Sequence, residues 1–230
     1  MSDALKLLVQ NDVGRVCFDA PLCEHSWWSI GGPADLLIEP GSVDQVQKLV
    51  KALLKLELPY VVIGDGSNIL FDDEGVRGVV IKIGRALSGL HINNNLITAD
   101  AGIFVPRLVS AIGRYGLSGL EHAIGIPGTL GGLVLMNGGS QQKGIGEHIE
   151  RVWVVDDSGK VQEFDRAACN FSYRSSALQG SRLVVVRAQL RLKQADKKTI
   201  RKEMLDLMRT RRGKFPLKQP NCGSVFLSDP

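Results

Sequence analysis

The stretch from Ala34 to Asn68 leaves few architectures open. Ala34-Asp35-Leu36-Leu37-Ile38-Glu39-Pro40 reads as a strand entered from the Gly31-Gly32-Pro33 turn. Ser42 to Leu56 then sets Val46, Leu49, Val50 and Leu53 at helical spacing behind a serine suited to the N-cap. Tyr60-Val61-Val62-Ile63 is a second, β-branched strand that stops at Gly64. Strand, helix and strand in 30-odd residues exclude an all-helical chain and predict helices packed against a sheet.

The rest of the chain continues the alternation. Val79–Ile83 and Leu96–Ala99 read as strands and Phe104 to Tyr115 as a helix. Two more strands are predicted at Val152–Val155 and Leu183–Leu192, with Gly159 in a turn between them. Gly125 to Gly139 holds six glycines and a proline and reads as loop over most of its length. Residues 3–10 form a short amphipathic helix in this reading, with Leu5, Leu8 and Val9 on one side. At 230 residues, 44% hydrophobic and 23% charged, the chain can bury one large core or two small ones, which excludes a disordered or disulfide-stapled protein.

Charge is uneven. The net value is +4, yet Arg191 to Lys218 alone carries eleven Lys and Arg against Asp196, Glu203 and Asp206. A run of this kind can meet an anionic partner. Ile200, Met204, Leu207 and Met208 offer an apolar stripe, so a helix near 196–212 with a solvated basic face is the simpler explanation. Nucleic acid would call for aromatic platforms, and residues 191–214 have none. Cys17, Cys23, Cys169 and Cys222 form no C-x-x-C pair and have no histidine at ligand spacing, which predicts free, mostly buried thiols and no metal. The apolar runs are too short to span a bilayer and the N-terminus lacks the features of a signal peptide, so a cytoplasmic protein is expected.

Four motifs offer chemistry. Gly64-Asp65-Gly66-Ser67-Asn68 follows a strand directly; its glycines let backbone N–H groups approach a ligand, and Ser67 and Asn68 add donors. It suits a phosphate or pyrophosphate, although Ile69 breaks the dinucleotide fingerprint and no Gly-Lys-Ser/Thr follows; alone, a plain tight turn explains it too. Gly125-Ile126-Pro127-Gly128-Thr129-Leu130-Gly131-Gly132, followed by Met136-Asn137-Gly138-Gly139, is a second donor-rich run, and a ligand with a diphosphate and a flat ring fits across both. Phe171-Ser172-Tyr173-Arg174-Ser175 presents a guanidinium fork for a carboxylate or phosphate. Asn221-Cys222-Gly223-Ser224 presents a hydroxyl; no histidine has triad spacing and no G-x-S-x-G elbow exists, so proton donation suits Ser224 better than nucleophilic attack.

Together with Ser29-Ile30-Gly31-Gly32-Pro33-Ala34-Asp35 and the PNCGSVF run, these motifs stand in an order that resembles the UDP-N-acetylenolpyruvoylglucosamine reductase (MurB) family of flavoenzymes in peptidoglycan precursor synthesis, from about residue 20 onward. The resemblance implies an α+β, two-lobed FAD-binding fold of the FAD-linked oxidase (PCMH-like) type. Residues 1–85 would form the first FAD-binding lobe and 86–214 the second. Residues 215–230 would start a substrate-binding lobe that is absent or truncated.

It further implies non-covalent FAD, with the pyrophosphate on Gly64 through Asn68 and the remainder against Gly125, Ile126, Pro127, Gly128, Thr129, Gly131 and Gly132, near Asn137. NADPH would supply the hydride and a UDP-sugar would be the substrate of a monomeric protein that meets neither nucleic acid nor membrane. Arg174 would stabilise developing enolate charge, with Tyr173 beside it; Ser224 would deliver a proton, and Lys214 would bind the substrate's anionic groups.

Three departures bear on these implications. The family's glutamate, in the third lobe, would lie past Pro230. Met-Asn-Gly-Gly-Ser-Gln-Gln-Lys-Gly-Ile-Gly replaces the family's Met-Asn-Ala-Gly-Ala-Tyr-Gly. Leu227 and Ser29 stand where basic residues are common. A flavoprotein of the same fold with another substrate, or a non-catalytic flavin-binding module, are the alternative readings.

Overall fold

In the computed structural model, residues 8, 11–216 and 219–223 are described. Strand β1 (Arg15–Pro21), β2 (Pro33–Glu39), helix α1 (Val43–Lys55), β3 (Tyr60–Ile63) and β4 (Val76–Lys82) build a four-stranded sheet in the order β1-β2-β4-β3. β1 is antiparallel to β2, whereas β2 and β3 both run parallel to β4. The predicted strand–helix–strand unit is therefore present, with β4 inserted between its two strands. Ser42 caps α1 by accepting from Gln45 N at 3.1 Å, and Val46, Leu49, Val50 and Leu53 are buried as their spacing requires. Each such side chain contributes about 1.5–3 kcal/mol by leaving water.

A second sheet takes β5 (Leu90–Asn93) and β6 (Leu96–Asp100); α2 (Val105–Arg114) and the two-residue β7 (Leu117–Ser118) follow. After α3 (Leu130–Leu135) come β8 (Ile149–Val155), β9 (Val161–Asp165) and β10 (Val184–Arg191), and the sheet order is β5-β6-β10-β8-β9, antiparallel throughout. β11 (Lys193–Gln194) pairs with β7, and α4 (Lys197–Lys214) closes the described fold. Asp196 caps α4 by accepting from Thr199 N at 2.9 Å. Ile200 is buried and Met204, Leu207 and Met208 pack on the core, so the basic run is the outward face of an amphipathic helix.

Leu36 and Ile38 point to one side of the first sheet, into a core shared with α1, α2, α3 and the second sheet. Leu37 points to the other, with Leu22, Ile63, Phe71 and Val80. That is the two-residue period of a strand buried on both faces.

Several expectations need correction. α3 lies within the stretch read as loop. Leu130, Leu133 and Val134 are buried at helical spacing, and Gly131 lets the helix back onto the sheet, where a Cβ would stand 3.0 Å from Ala101 Cβ. The glycines there serve close packing as well as turning. Of the cysteines only Cys169 is buried; Cys17, Cys23 and Cys222 are partly exposed, and all four are free. Leu8 is buried, and the other residues of the predicted 3–10 helix lie outside the described residues. Among the described residues no helix is long and apolar enough to cross a membrane, and no His, Cys, Asp and Glu cluster is arranged for a metal.

Candidate active site

The first glycine-rich run leaves β3 directly. Ile63 O accepts from Ile83 N at 2.9 Å, and residues 64–68 then turn away from the sheet. Gly66 is buried at φ +68, where a Cβ would overlap the His25 carbonyl oxygen, so a side chain there would displace backbone. Trp27 braces the loop: its backbone N–H donates to Gly66 O at 3.0 Å and its indole N–H to the Asp65 carboxylate at 3.2 Å.

The second run meets the first. Ser67 Oγ donates to Pro127 O at 2.8 Å. A Cβ on Gly64 would collide with the Thr129 hydroxyl, and one on Gly128, at φ +132, would stand 2.9 Å from Ser67 Oγ. Among the described residues, the backbone N–H groups of Asp65, Gly66, Ser67, Asn68, Gly128 and Thr129 have no acceptor. Unpaired donors on two touching loops, held close by glycines, are the chemistry a diphosphate requires. The residues therefore fit a dinucleotide-type cofactor.

Thr129 leads into α3, and the far end of that helix is tied to a second element. Leu135 O accepts from Ser176 Oγ at 2.6 Å and from Gln179 Nε2 at 3.0 Å. Two residues on, Asn137 donates through Nδ2 to Ser172 O at 2.7 Å and accepts from Gly146 N through Oδ1 at 2.9 Å. The amide expected to face the cofactor thus has a protein partner at each end. Ser172 and Ser175 exchange backbone hydrogen bonds at 3.0 and 3.1 Å, which pushes Tyr173 and Arg174 out at the tip of a tight turn. Both are exposed, and the Arg174 guanidinium lies 5.9 Å from the Tyr173 ring with no carboxylate partner among the described residues.

Behind the second loop, Glu121 and His122 are buried, and Glu121 Oε1 and His122 Nε2 have no hydrogen-bond partner among the described residues. Burial, with His148 and Lys143 nearby, lowers the His122 pKa to about 4. At the last turn of α4, Arg211 lies over Gly125, and its guanidinium sits 4.6 Å above the Phe215 ring. Lys214 is exposed, 5.9 Å from the same ring. Of the two cations, Arg211 touches the second loop.

The run 219–223 returns to the first loop. Asn221 N donates to Trp27 O at 3.1 Å, and Cys222 Sγ stands 3.6 Å from both Gly66 O and Ile69 O. Ser224 lies outside the described residues. The clamp made by Ser176 and Gln179 was invisible in the sequence, because an isolated Ser and Gln after Arg174 carry no motif.

Residues 34–165 match the family described as FAD binding domain. The crystal structure of UDP-N-acetylenolpyruvylglucosamine reductase (MurB) from Thermus caldophilus superposes with a TM-score of 0.79 at 31% identity, over 94% of this chain and 75% of that one. The glucose dehydrogenase Phl p 4.0202 shares the fold at TM-score 0.68 and 15% identity, over 85% of this chain and 45% of its own. Fold and loops together define an FAD-binding oxidoreductase with the α+β architecture of the FAD-linked oxidases. UDP-N-acetylenolpyruvoylglucosamine reductase 1 of Corynebacterium glutamicum is 42% identical over 100% of this chain and 69% of its own length. The reductase of Bacillus subtilis is 38% identical over 98% and 75%. The chain belongs to the UDP-N-acetylenolpyruvoylglucosamine reductase family.

Proposed function

We propose that this protein reduces enolpyruvyl-UDP-N-acetylglucosamine to UDP-N-acetylmuramate with NADPH as hydride donor, in the cytoplasmic synthesis of peptidoglycan precursors. The observation that carries the reading is α3, with the two joined glycine-rich loops at one end and, at the other, Arg174, which has no carboxylate partner among the described residues. Bound FAD supplies the hydride that passes from the nicotinamide to the substrate. The unpaired N–H groups of 65–68, 128 and 129 would hold its diphosphate, and the rest of the 125–132 run would hold the remainder of the cofactor. The sheets on either side of residue 85 support two lobes, 1–85 and 86–214.

Addition of hydride to the enolpyruvyl double bond builds negative charge beside the substrate's carboxylate. A guanidinium held ready at the tip of a hydrogen-bonded turn stabilises that charge without reorganising, which is where a fixed cation lowers a barrier most. Tyr173 offers a donor next to it, and Lys214 with Arg211 puts positive charge at the end of α4 for the substrate's phosphates. Ser224 delivers the proton to the α-carbon. Incubation with NADPH and the enolpyruvyl substrate, followed by mass spectrometry, tests the reading. A product heavier by two hydrogens is expected, and NADPH consumption without a saturated product contradicts it.

A further inference from the structure

We propose that Asn137 is a positioning residue for Arg174: its amide, just past the end of α3, holds the turn that presents the guanidinium. The inference rests on the reaction proposed above. Three features of the structure carry it.

The turn at 172–175 is short of support of its own. Arg174 stands at φ +55, a left-handed conformation that costs a side-chain-bearing residue energy unless its surroundings hold it there. Within the turn only the Ser172–Ser175 pair is bonded, and the tip is exposed. Outside it, two side chains grip the backbone: Asn137 Nδ2 donates to Ser172 O at 2.7 Å, and Gln179 Nε2 donates to Arg174 O at 3.2 Å.

Asn137 is itself braced. Its φ of +41 suits asparagine, and its Oδ1 accepts from Gly146 N at 2.9 Å, while a Cβ on Gly144 would crowd the same amide. Gln179 bonds Leu135 O at 3.0 Å as well as Arg174 O, so both residues fasten the turn to the same point, the C-terminal end of α3. Because the other end of α3 begins at Thr129, in contact with Gly64, one short helix sets the distance from cofactor loop to guanidinium. Loosening either grip leaves the two cofactor loops joined and lets the guanidinium wander.

Asn137→Asp is the discriminating variant in the full-length holoenzyme. It tolerates the positive φ and still accepts from Gly146 N, but it sets a carboxylate against the Ser172 carbonyl. Expected are unchanged FAD affinity, unchanged bleaching by NADPH, and flavin reoxidation by the enolpyruvyl substrate slowed by about tenfold or more. Gln179→Met should slow the same half-reaction. In an Arg174→Lys background the cost of Asn137→Asp should shrink, because the two residues act as one unit. Equal cost in both backgrounds overturns the proposal, as does loss of FAD binding, which would make Asn137 a cofactor ligand. Hydrogen exchange at the Ser172 and Ser175 amides reads the turn without turnover: faster exchange in Asn137→Asp is expected, and unchanged exchange overturns the proposal even if the wild-type flavin proves inert to this substrate.

Discussion

The Ser67 hydroxyl donates to the Pro127 carbonyl at 2.8 Å, joining two glycine-rich loops that lie 60 residues apart in the chain. At this junction the backbone N–H groups of Asp65, Gly66, Ser67, Asn68, Gly128 and Thr129 have no acceptor among the described residues, and both loops carry glycine where a Cβ would prevent contact. Removal of the hydroxyl by Ser67→Ala should weaken FAD binding about tenfold, the equivalent of one hydrogen bond of roughly 1.4 kcal/mol. Titration of the apoprotein with FAD measures this; an unchanged Kd would mean the loops stay joined without the bond.

Gly66→Ala should be more severe. Its Cβ would overlap the His25 carbonyl at a backbone φ of +68, so the first loop must shift. The variant should purify without the flavin absorbance band and fail to recover it on addition of FAD. A fully loaded Gly66→Ala protein would refute the cradle.

Arg174→Ala should leave FAD binding and NADPH-driven bleaching intact and slow substrate-driven reoxidation by about 10²–10³-fold, the usual cost of removing one preorganised donor from developing charge. Stopped-flow measurement of the two half-reactions separates them. Equal slowing of both would place Arg174 elsewhere in the cycle.

His122 makes stability depend on pH. Its pKa in the folded protein, about 4, lies below the ordinary 6.5, so the unfolded chain binds the proton first. The stability that the neutral imidazole contributes is present above pH 6.5 and is lost as pH falls toward 4, to a total of about 3 kcal/mol. Urea unfolding across that window should show the slope, and His122→Leu should flatten it. The bond from Ser140 Oγ to the His122 carbonyl survives the substitution, whereas the one from Ser140 N to the ring Nδ1 at 3.4 Å is lost.

Cys169 should be the last thiol to react. It is buried, and burial with Asp165 nearby raises its pKa to about 11, so little thiolate forms at neutral pH. Mass-spectrometric mapping after a brief exposure to iodoacetamide should find Cys17, Cys23 and Cys222 modified before Cys169.

Much of this was legible in the sequence, and the exceptions have physical causes. β2 and β4 lie inside the first sheet and read as apolar runs because both faces are covered, while β6, β8 and β10, inside the second, keep enough buried apolar positions on one face to be read. β1, β5 and β9 lie at sheet edges and went unread: Leu90-His91-Ile92-Asn93 and Val161-Gln162-Glu163-Phe164-Asp165 are largely exposed, so no apolar period marks them. β3, also an edge, was found only through its β-branched run. α3 was hidden by its glycines, of which Gly131 serves close packing on Ala101. At the site, Ser67 and Thr129 announced themselves through their glycine neighbours. Gln179, whose amide reaches back to Leu135 and Arg174, has a role that exists only once the chain has folded.

An anaerobic visible-absorbance titration of the holoprotein decides whether its flavin passes hydride from NADPH to the enolpyruvyl substrate. NADPH is added until the flavin band bleaches, and enolpyruvyl-UDP-N-acetylglucosamine is then supplied. Rapid return of the oxidised band is the predicted result. A band that stays bleached, or a protein that shows none after FAD is supplied, would contradict the account.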